Sequence, residues 1–254
     1  MNSNTRAALI AVLLCAVARP ARADAPAAAP PPPAADDSEV EPKSGLPFVH
    51  LQGGTLTGGN FKGKHVAPFA LGRTATTVAA YAKCVAEDMC TEPDMESNAC
   101  NWKKKGREEH PINCVDWSQA AAFCHWLGGR LPAGEEREWA ASSGEGREHP
   151  WGREPPGKQL CWNGKGNDLG QGIRKSTCPV GAYPAGASKQ GVLDLAGNVW
   201  EWLGGDFRGG KEMRGGSWYE DGEALYRSTR RESRDAGEQY STLGFRCVLA
   251  PPAH

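Results

Sequence analysis

Asp194-Leu-Ala-Gly-Asn-Val-Trp-Glu-Trp202 gathers the residue types of this chain best suited to chemistry: two carboxylates, one amide and two indoles around a turn glycine. Gly197 and Asn198 both accept positive φ, so the pair marks a tight turn. Beyond it, Val199, Trp200, Glu201 and Trp202 alternate, which in an extended segment sets both indoles on one face and the glutamate on the other. A carboxylate held against buried aromatic mass needs a partner. The Asp194 and Glu201 carboxylates, with the Gly197 and Val199 carbonyls between them, would form an oxygen cage for a hard cation such as calcium. The competing reading is a hairpin whose glutamate meets an arginine from elsewhere. Spacing alone does not choose between them.

A second group follows closely. Trp218, Tyr219 and Tyr226 stand beside Arg227, Arg230, Arg231 and Arg234, a set able to grip an extended anionic ligand. The same arginines could instead pair at the surface with Glu220, Asp221, Glu223 and Glu232. The acids Glu220, Asp221 and Glu223 would also suit an acid/base or a hard metal. Other chemistries find no footing. No G-x-S-x-G elbow occurs and no histidines form an i, i+4 metal pair. Gly58 to His65 resembles a phosphate loop but carries His65 where the magnesium-binding hydroxyl is required.

The elements that must position these groups are short. Thr77 caps a helix with Val78, Tyr81, Ala82 and Val85 on its apolar face. Asp116-Trp-Ser-Gln119 is a capping box for a second, with Ala120, Phe123, Cys124 and Leu127 inward and Gly128-Gly129 ending it. Pro132 introduces a third, acid-rich helix over Glu135 to Ala141. Gly53 to Asn60 reads as a hairpin, Trp151 to Tyr183 as loop, and Leu243 to Leu249 as a closing strand. The 32 glycines and 19 prolines, and the confinement of all nine tryptophans to Trp102–Trp218, describe a loop-rich domain with its core in the middle.

The chain opens with Arg6, an apolar run from Ala7 to Ala18, and Ala21-Arg-Ala23, the pattern of a secretory signal over residues 1–23. The run falls short of the roughly 20 residues a membrane span needs. Residues 24–45 are an Ala/Pro-rich, acidic spacer, and the domain is expected over 46–252. With 29 basic and 30 acidic residues and no basic stripe, nucleic acid is excluded as a partner, and a monomer is expected. Past the leader remain Cys84, Cys90, Cys100, Cys114, Cys124, Cys161, Cys178 and Cys247, an even set that reads as a disulfide framework in an exported, periplasmic or extracellular protein. Their pairing stays open among roughly a hundred possibilities.

Five islands, in order, resemble the formylglycine-generating enzyme (sulfatase-modifying factor) family: His110-Pro-Ile-Asn-Cys-Val-Asp-Trp117, Arg130-Leu-Pro132 with its Glu-rich helix, Gly197-Asn-Val-Trp-Glu-Trp202, Arg214-Gly-Gly-Ser-Trp218 and Gly244-Phe-Arg-Cys-Val248. The resemblance implies an α+β, C-type-lectin-like fold, loop-rich, with short helices and small antiparallel sheets. It implies calcium at the Asp194, Gly197, Val199 and Glu201 ligands, and leaves open a second calcium site for which Asn163 corresponds but no acid stands near Gly172. It implies a Cys124–Cys247 bridge; with that bridge set, Cys84–Cys90, Cys100–Cys114 and Cys161–Cys178 are expected as local pairs.

The family's oxidase chemistry rests on two copper(I)-binding cysteines beyond the Gly-Gly-Ser-aromatic motif. Those positions are Glu220 and Leu225 here, and no cysteine lies between Cys178 and Cys247. A carboxylate is a hard ligand that copper(I) disfavours, and leucine is no ligand, so copper and formylglycine synthesis are not expected. The favoured reading is a non-catalytic relative that binds a peptide, glycan or protein partner, with Trp218, Tyr219, Glu220, Tyr226, Arg227 and Arg230 as contact candidates. The alternative is a metal-dependent oxidoreductase of the same family with altered chemistry.

Overall fold

The structure is a computed structural model and describes residues 38–93, 95 and 97–249. The expected leader and most of the Ala/Pro spacer lie outside the described residues. Both capped helices form where the sequence puts them. In α1 (Val78–Ala86) the Thr77 side chain accepts the Ala80 N–H at 3.1 Å. In α2 (Trp117–Trp126) Asp116 accepts the Gln119 N–H at 2.7 Å while the Gln119 side chain accepts the Asp116 N–H at 3.0 Å. The inward face of α1 is turned from the expected one: Ala80 and Cys84 are buried with Val78 and Tyr81, and Ala82 and Val85 only half-buried. Tyr81 sets its centre by stacking on Phe123 of α2 and meeting Trp102 edge-on.

The third helix, α3 (Gly134–Ser142), departs more sharply from expectation. An acid-rich helix reads as solvent-facing, yet Glu136, Arg137 and Glu138 are all buried. Each has a partner of opposite charge. Arg130 binds Glu136 through both guanidinium arms, at 2.7 and 2.6 Å. Arg137 meets Glu201, and Glu138 meets Arg214.

The strands are β1 (Glu39–Val40), β2 (Pro47–Leu51), β3 (Gly54–Thr55), β4 (His65–Val66), β5 (Phe69–Gly72), β6 (Trp200–Phe207), β7 (Gly210–Arg214), β8 (Glu232–Arg234), β9 (Leu243–Phe245) and β10 (Val248–Leu249). One sheet runs β1-β2-β5-β10, a second β8-β7-β6-β9, and β3 pairs with β4 alone. The glycine run at 53–60 is thus the first arm and turn of a hairpin whose second arm is His65–Val66. The domain also begins earlier than Leu46. Glu39 and Val40 pair with Phe48 and Pro47, and the Glu41 carboxylate accepts the Ser44 N–H at 2.7 Å. Acids that look like solvated spacer by composition cap a turn instead.

The closing segment is two strands rather than one. β9 runs parallel to β6, whereas β10 is antiparallel to β5 in the other sheet. The switch falls at Arg246-Cys247, and both residues are anchored. Arg246 is fully buried and donates to the Gly72, Arg73 and Leu193 carbonyls, while Cys247 is bonded to Cys124 of α2. The remaining bridges are Cys84–Cys90, Cys100–Cys114 and Cys161–Cys178. Phe245 meets the stacked Phe123 and Tyr81 rings edge-on, so α1, α2 and the central sheet share one aromatic core.

His110 supplies a pH-dependent contribution to this packing. Its Nδ1 lies 2.8 Å from Thr177 Oγ1 and 3.0 Å from Arg107 Nη1. Burial, then the Arg107 guanidinium, push its pKa down from 6.5 to about 4. The native state therefore holds a neutral imidazole where the unfolded chain takes up a proton. That contribution is complete above about pH 6.5, declines as pH falls, and is gone near pH 4. Melting temperature measured across this window should fall more steeply for the parent than for His110→Asn.

Candidate functional site

The central turn is built by backbone geometry that its sequence anticipates. Gly197 has φ 80° and Asn198 φ 66°, with Asp194 at φ 53°. At Gly197 a Cβ would sit 2.6 Å from the Cys161 carbonyl oxygen, so only glycine fits. Asn198 clamps the loop beside it: its Oδ1 accepts the Cys178 N–H at 3.0 Å and its Nδ2 donates to the Cys178 carbonyl at 3.1 Å. The turn is thereby fixed to the Cys161–Cys178 loop. The two faces expected of the following strand are not distinguished by burial, since Trp200, Glu201 and Trp202 are all inside.

Glu201 is where the two readings of the turn separate. Its Oε2 accepts from Arg137 Nε at 2.7 Å, and its Oε1 from Arg246 Nε at 2.8 Å. Arg246 Nη2 approaches the same Oε1 at 2.6 Å. All three side chains are buried. Burial alone would raise the Glu201 carboxyl, but the two guanidiniums outweigh it and hold it below the usual range. Burial likewise lowers Arg137, to about 10. Asp194 Oδ2 accepts the Gly181 N–H at 2.7 Å, and burial pushes its pKa up to about 6.

These donors do not fit calcium. The one carboxylate at the end of the expected cage has a guanidinium on each oxygen, and a dication there would meet two buried positive charges. Glutamate meeting arginine from elsewhere describes this turn better than the oxygen cage does. The Gly197 and Val199 carbonyls keep their place in the turn without such a cage around them. Arg137 is the residue that sequence reading passed over. Two of its partners' motifs were in view, but a buried arginine on a hydrophilic helix leaves no hydropathy signal.

A second buried ion network lies alongside. Arg214 donates from Nε to Glu212 at 2.7 Å and from Nη1 to Glu138 at 2.9 Å. Arg231 grips both oxygens of Glu212, each at 2.9 Å. Along Glu138, Arg214, Glu212 and Arg231 the charges alternate in sign and sum to zero.

Glu220 and Leu225, the positions expected to correspond to the family's cysteines, are both engaged in structure. Glu220 Oε2 accepts the Ser217 N–H at 2.9 Å and the Ser217 hydroxyl, and its Oε1 accepts the Trp200 indole N–H at 2.8 Å. Leu225 packs against the apolar core. Tyr226 is also interior, its hydroxyl between the Ser217 and Glu220 carbonyls at 2.9 and 2.7 Å, and burial raises its pKa. Trp218 is buried and donates to the Ser241 carbonyl. Of the contact candidates, Tyr219, Arg227 and Arg230 face outward. Tyr219 is 64% exposed. Arg227 and Arg230, with Asn60, Phe207, Arg208 and Arg231, line a concavity of about 380 Å³. Arg227 and Arg230 pair with Glu148 and Glu232 at its rim. Among the described residues, no three His, Cys, Asp or Glu side chains converge on a point that could hold a metal ion, and no helix is long and apolar enough to cross a membrane.

This fold, with its central turn and its Gly-Gly-Ser-Trp loop, defines a class. Residues 34–251 match the sulfatase-modifying factor enzyme 1-like domain model, and the chain belongs to that family. It is 37% identical over 153 residues to a Bos taurus protein described as inactive C-alpha-formylglycine-generating enzyme 2, covering 55% of this chain and 50% of that one. It is 33% identical over 171 residues to the formylglycine-generating enzyme of Streptomyces coelicolor, covering 56% of this chain and 54% of that one. The chain thus spans about half the length of these curated relatives. The solved structure of PvdO from Pseudomonas aeruginosa superposes with a TM-score of 0.65 at 20% identity, over 85% of this chain and 98% of that one. The architecture is the C-type-lectin-like fold that the sequence resemblance implies.

Proposed function

We propose that this chain is an exported, non-catalytic member of the family that binds an anionic peptide, glycan or protein partner on the face bearing Arg227 and Arg230. One observation carries the reading: both positions that correspond to the family's copper-binding cysteines hold groups that serve the fold, with Glu220 closing the Ser217–Trp200 contact and Leu225 packed against the core. The similarity to an inactive relative supports it. Four disulfides support an oxidising compartment.

The arginine-lined concavity is the place on this face best suited to a ligand. Its guanidiniums are exposed enough to exchange their rim carboxylates for those of a partner. Screening immobilised acidic peptides and sulfated or carboxylated glycans against the purified protein tests the reading. Binding should weaken steeply with salt, and Arg227→Ala with Arg230→Ala should lower affinity by about tenfold or more. A neutral ligand held equally by the double variant would overturn it.

A further inference from the structure

The misfit between the turn and calcium has a constructive side. A guanidinium offers a planar fork of N–H donors to oxygen acceptors. Arg137, reaching in from α3, donates from Nε to Glu201 Oε2 at 2.7 Å and from Nη2 to the Leu195 carbonyl at 2.7 Å. A carboxylate and a carbonyl are the kinds of oxygen a hard cation takes, and Glu201 is one of the four ligands expected for calcium. The same Nη2 lies 3.2 Å from the point where a Cβ at Gly215 would stand, and that point is 3.8 Å from the Val199 carbonyl oxygen. The guanidinium is thereby fixed beside Glu201, the Leu195 carbonyl and Gly215.

We propose that the Arg137 guanidinium is the resident cation of this turn, occupying the Glu201 carboxylate that a calcium cage would need, and that the domain folds and keeps the turn without a metal ion. Being covalently attached, this cation is present at any calcium concentration.

The loop around Asn163 repeats the arrangement. Asn163 Oδ1 accepts the Arg174 N–H at 2.9 Å. The buried Arg174 guanidinium then spans the Trp162 carbonyl and the Tyr183 hydroxyl, each at 2.9 Å, and the Asp168 carboxylate. Oxygen acceptors, with the Cys178 Sγ at 2.7 Å, again surround an arginine.

The test combines metal content with thermal unfolding of the full chain. Parent protein dialysed against chelator should retain no calcium, and its melting temperature should move by less than about 1 °C when millimolar calcium is added. Arg137→Ala, which vacates the cation position, should melt lower in chelator. Calcium at about 100 times its dissociation constant should then raise that variant by about 5 °C, with sodium giving no such rise. Arg137→Lys keeps a charge in place and should remain indifferent to calcium. The proposal fails if the parent carries one calcium per chain or loses stability on chelation. It fails equally if Arg137→Ala folds and ignores calcium. Should the alanine variant fold under neither condition, the parent's metal content and chelator response decide the matter alone.

Discussion

Glu201→Gln is expected to destabilise the domain by about 3–5 kcal/mol, the largest effect of any single uncharged replacement at the turn. The amide keeps nearly the volume of the carboxylate but removes the one negative charge that, among the described residues, directly contacts both Arg137 and Arg246, each of which is buried. One amide nitrogen then faces a guanidinium donor, so a hydrogen bond is lost as well as an ion pair. The damage should spread, because Arg246 also secures the Gly72, Arg73 and Leu193 carbonyls at the switch between sheets. Urea unfolding of parent and variant measures the difference. The contrast is Lys189→Ala, which breaks an ion pair of similar length to Glu145, 2.7 Å, with both partners about half exposed. That change should leave the urea midpoint close to the parent's. Equal effects at the two sites would refute the assignment of Glu201 as the centre of a desolvated network.

Removing the Cys124–Cys247 bridge, as Cys124→Ser with Cys247→Ser, is expected to cost about 4–5 kcal/mol. The bridge spans 123 residues, against 6 for Cys84–Cys90, and loop-closure entropy rises with the logarithm of that separation. Removing Cys84–Cys90 should cost about 2 kcal/mol by the same relation. The long bridge also pins α2 to the residue at which the chain changes sheets, so its loss frees a junction rather than a surface loop. Denaturant midpoints of the two double variants, compared with the parent, give the ratio. A larger loss for the short bridge would show that local strain outweighs chain entropy here.

What could be read from the sequence was local. Thr77 and Asp116 announce their helices because a capping side chain and the N–H it satisfies lie three residues apart. Gly197-Asn198 announces a turn because both residues tolerate positive φ. The burial of α3 could not be read in this way. Glu136, Arg137 and Glu138 look like a solvated run until Arg130, Glu201 and Arg214 are placed against them, and those partners come from separate segments of the chain. Glu201 left both readings open for the same reason, since a carboxylate beside tryptophans calls for positive charge without saying which; the calcium expectation came from the family resemblance. The break at Arg246-Cys247 was hidden for a different reason: both halves of Leu243–Leu249 are apolar, and only their partners, β6 and β5, reveal two sheets. Glu220 looked available to a ligand because nothing in its immediate sequence shows Trp200 donating to it from β6.

The most direct test of the central claim, a family fold kept without its oxygen-activating thiols, is an assay for formylglycine. The purified, disulfide-intact protein would be incubated with copper and a Cys-x-Pro-x-Arg peptide in air, with the Streptomyces coelicolor enzyme as positive control, and the aldehyde trapped with a hydrazide. With Glu220 and Leu225 at the thiol positions and every described cysteine in a disulfide, the peptide should be recovered with its cysteine unconverted. Trapped aldehyde above the no-enzyme background would contradict the account.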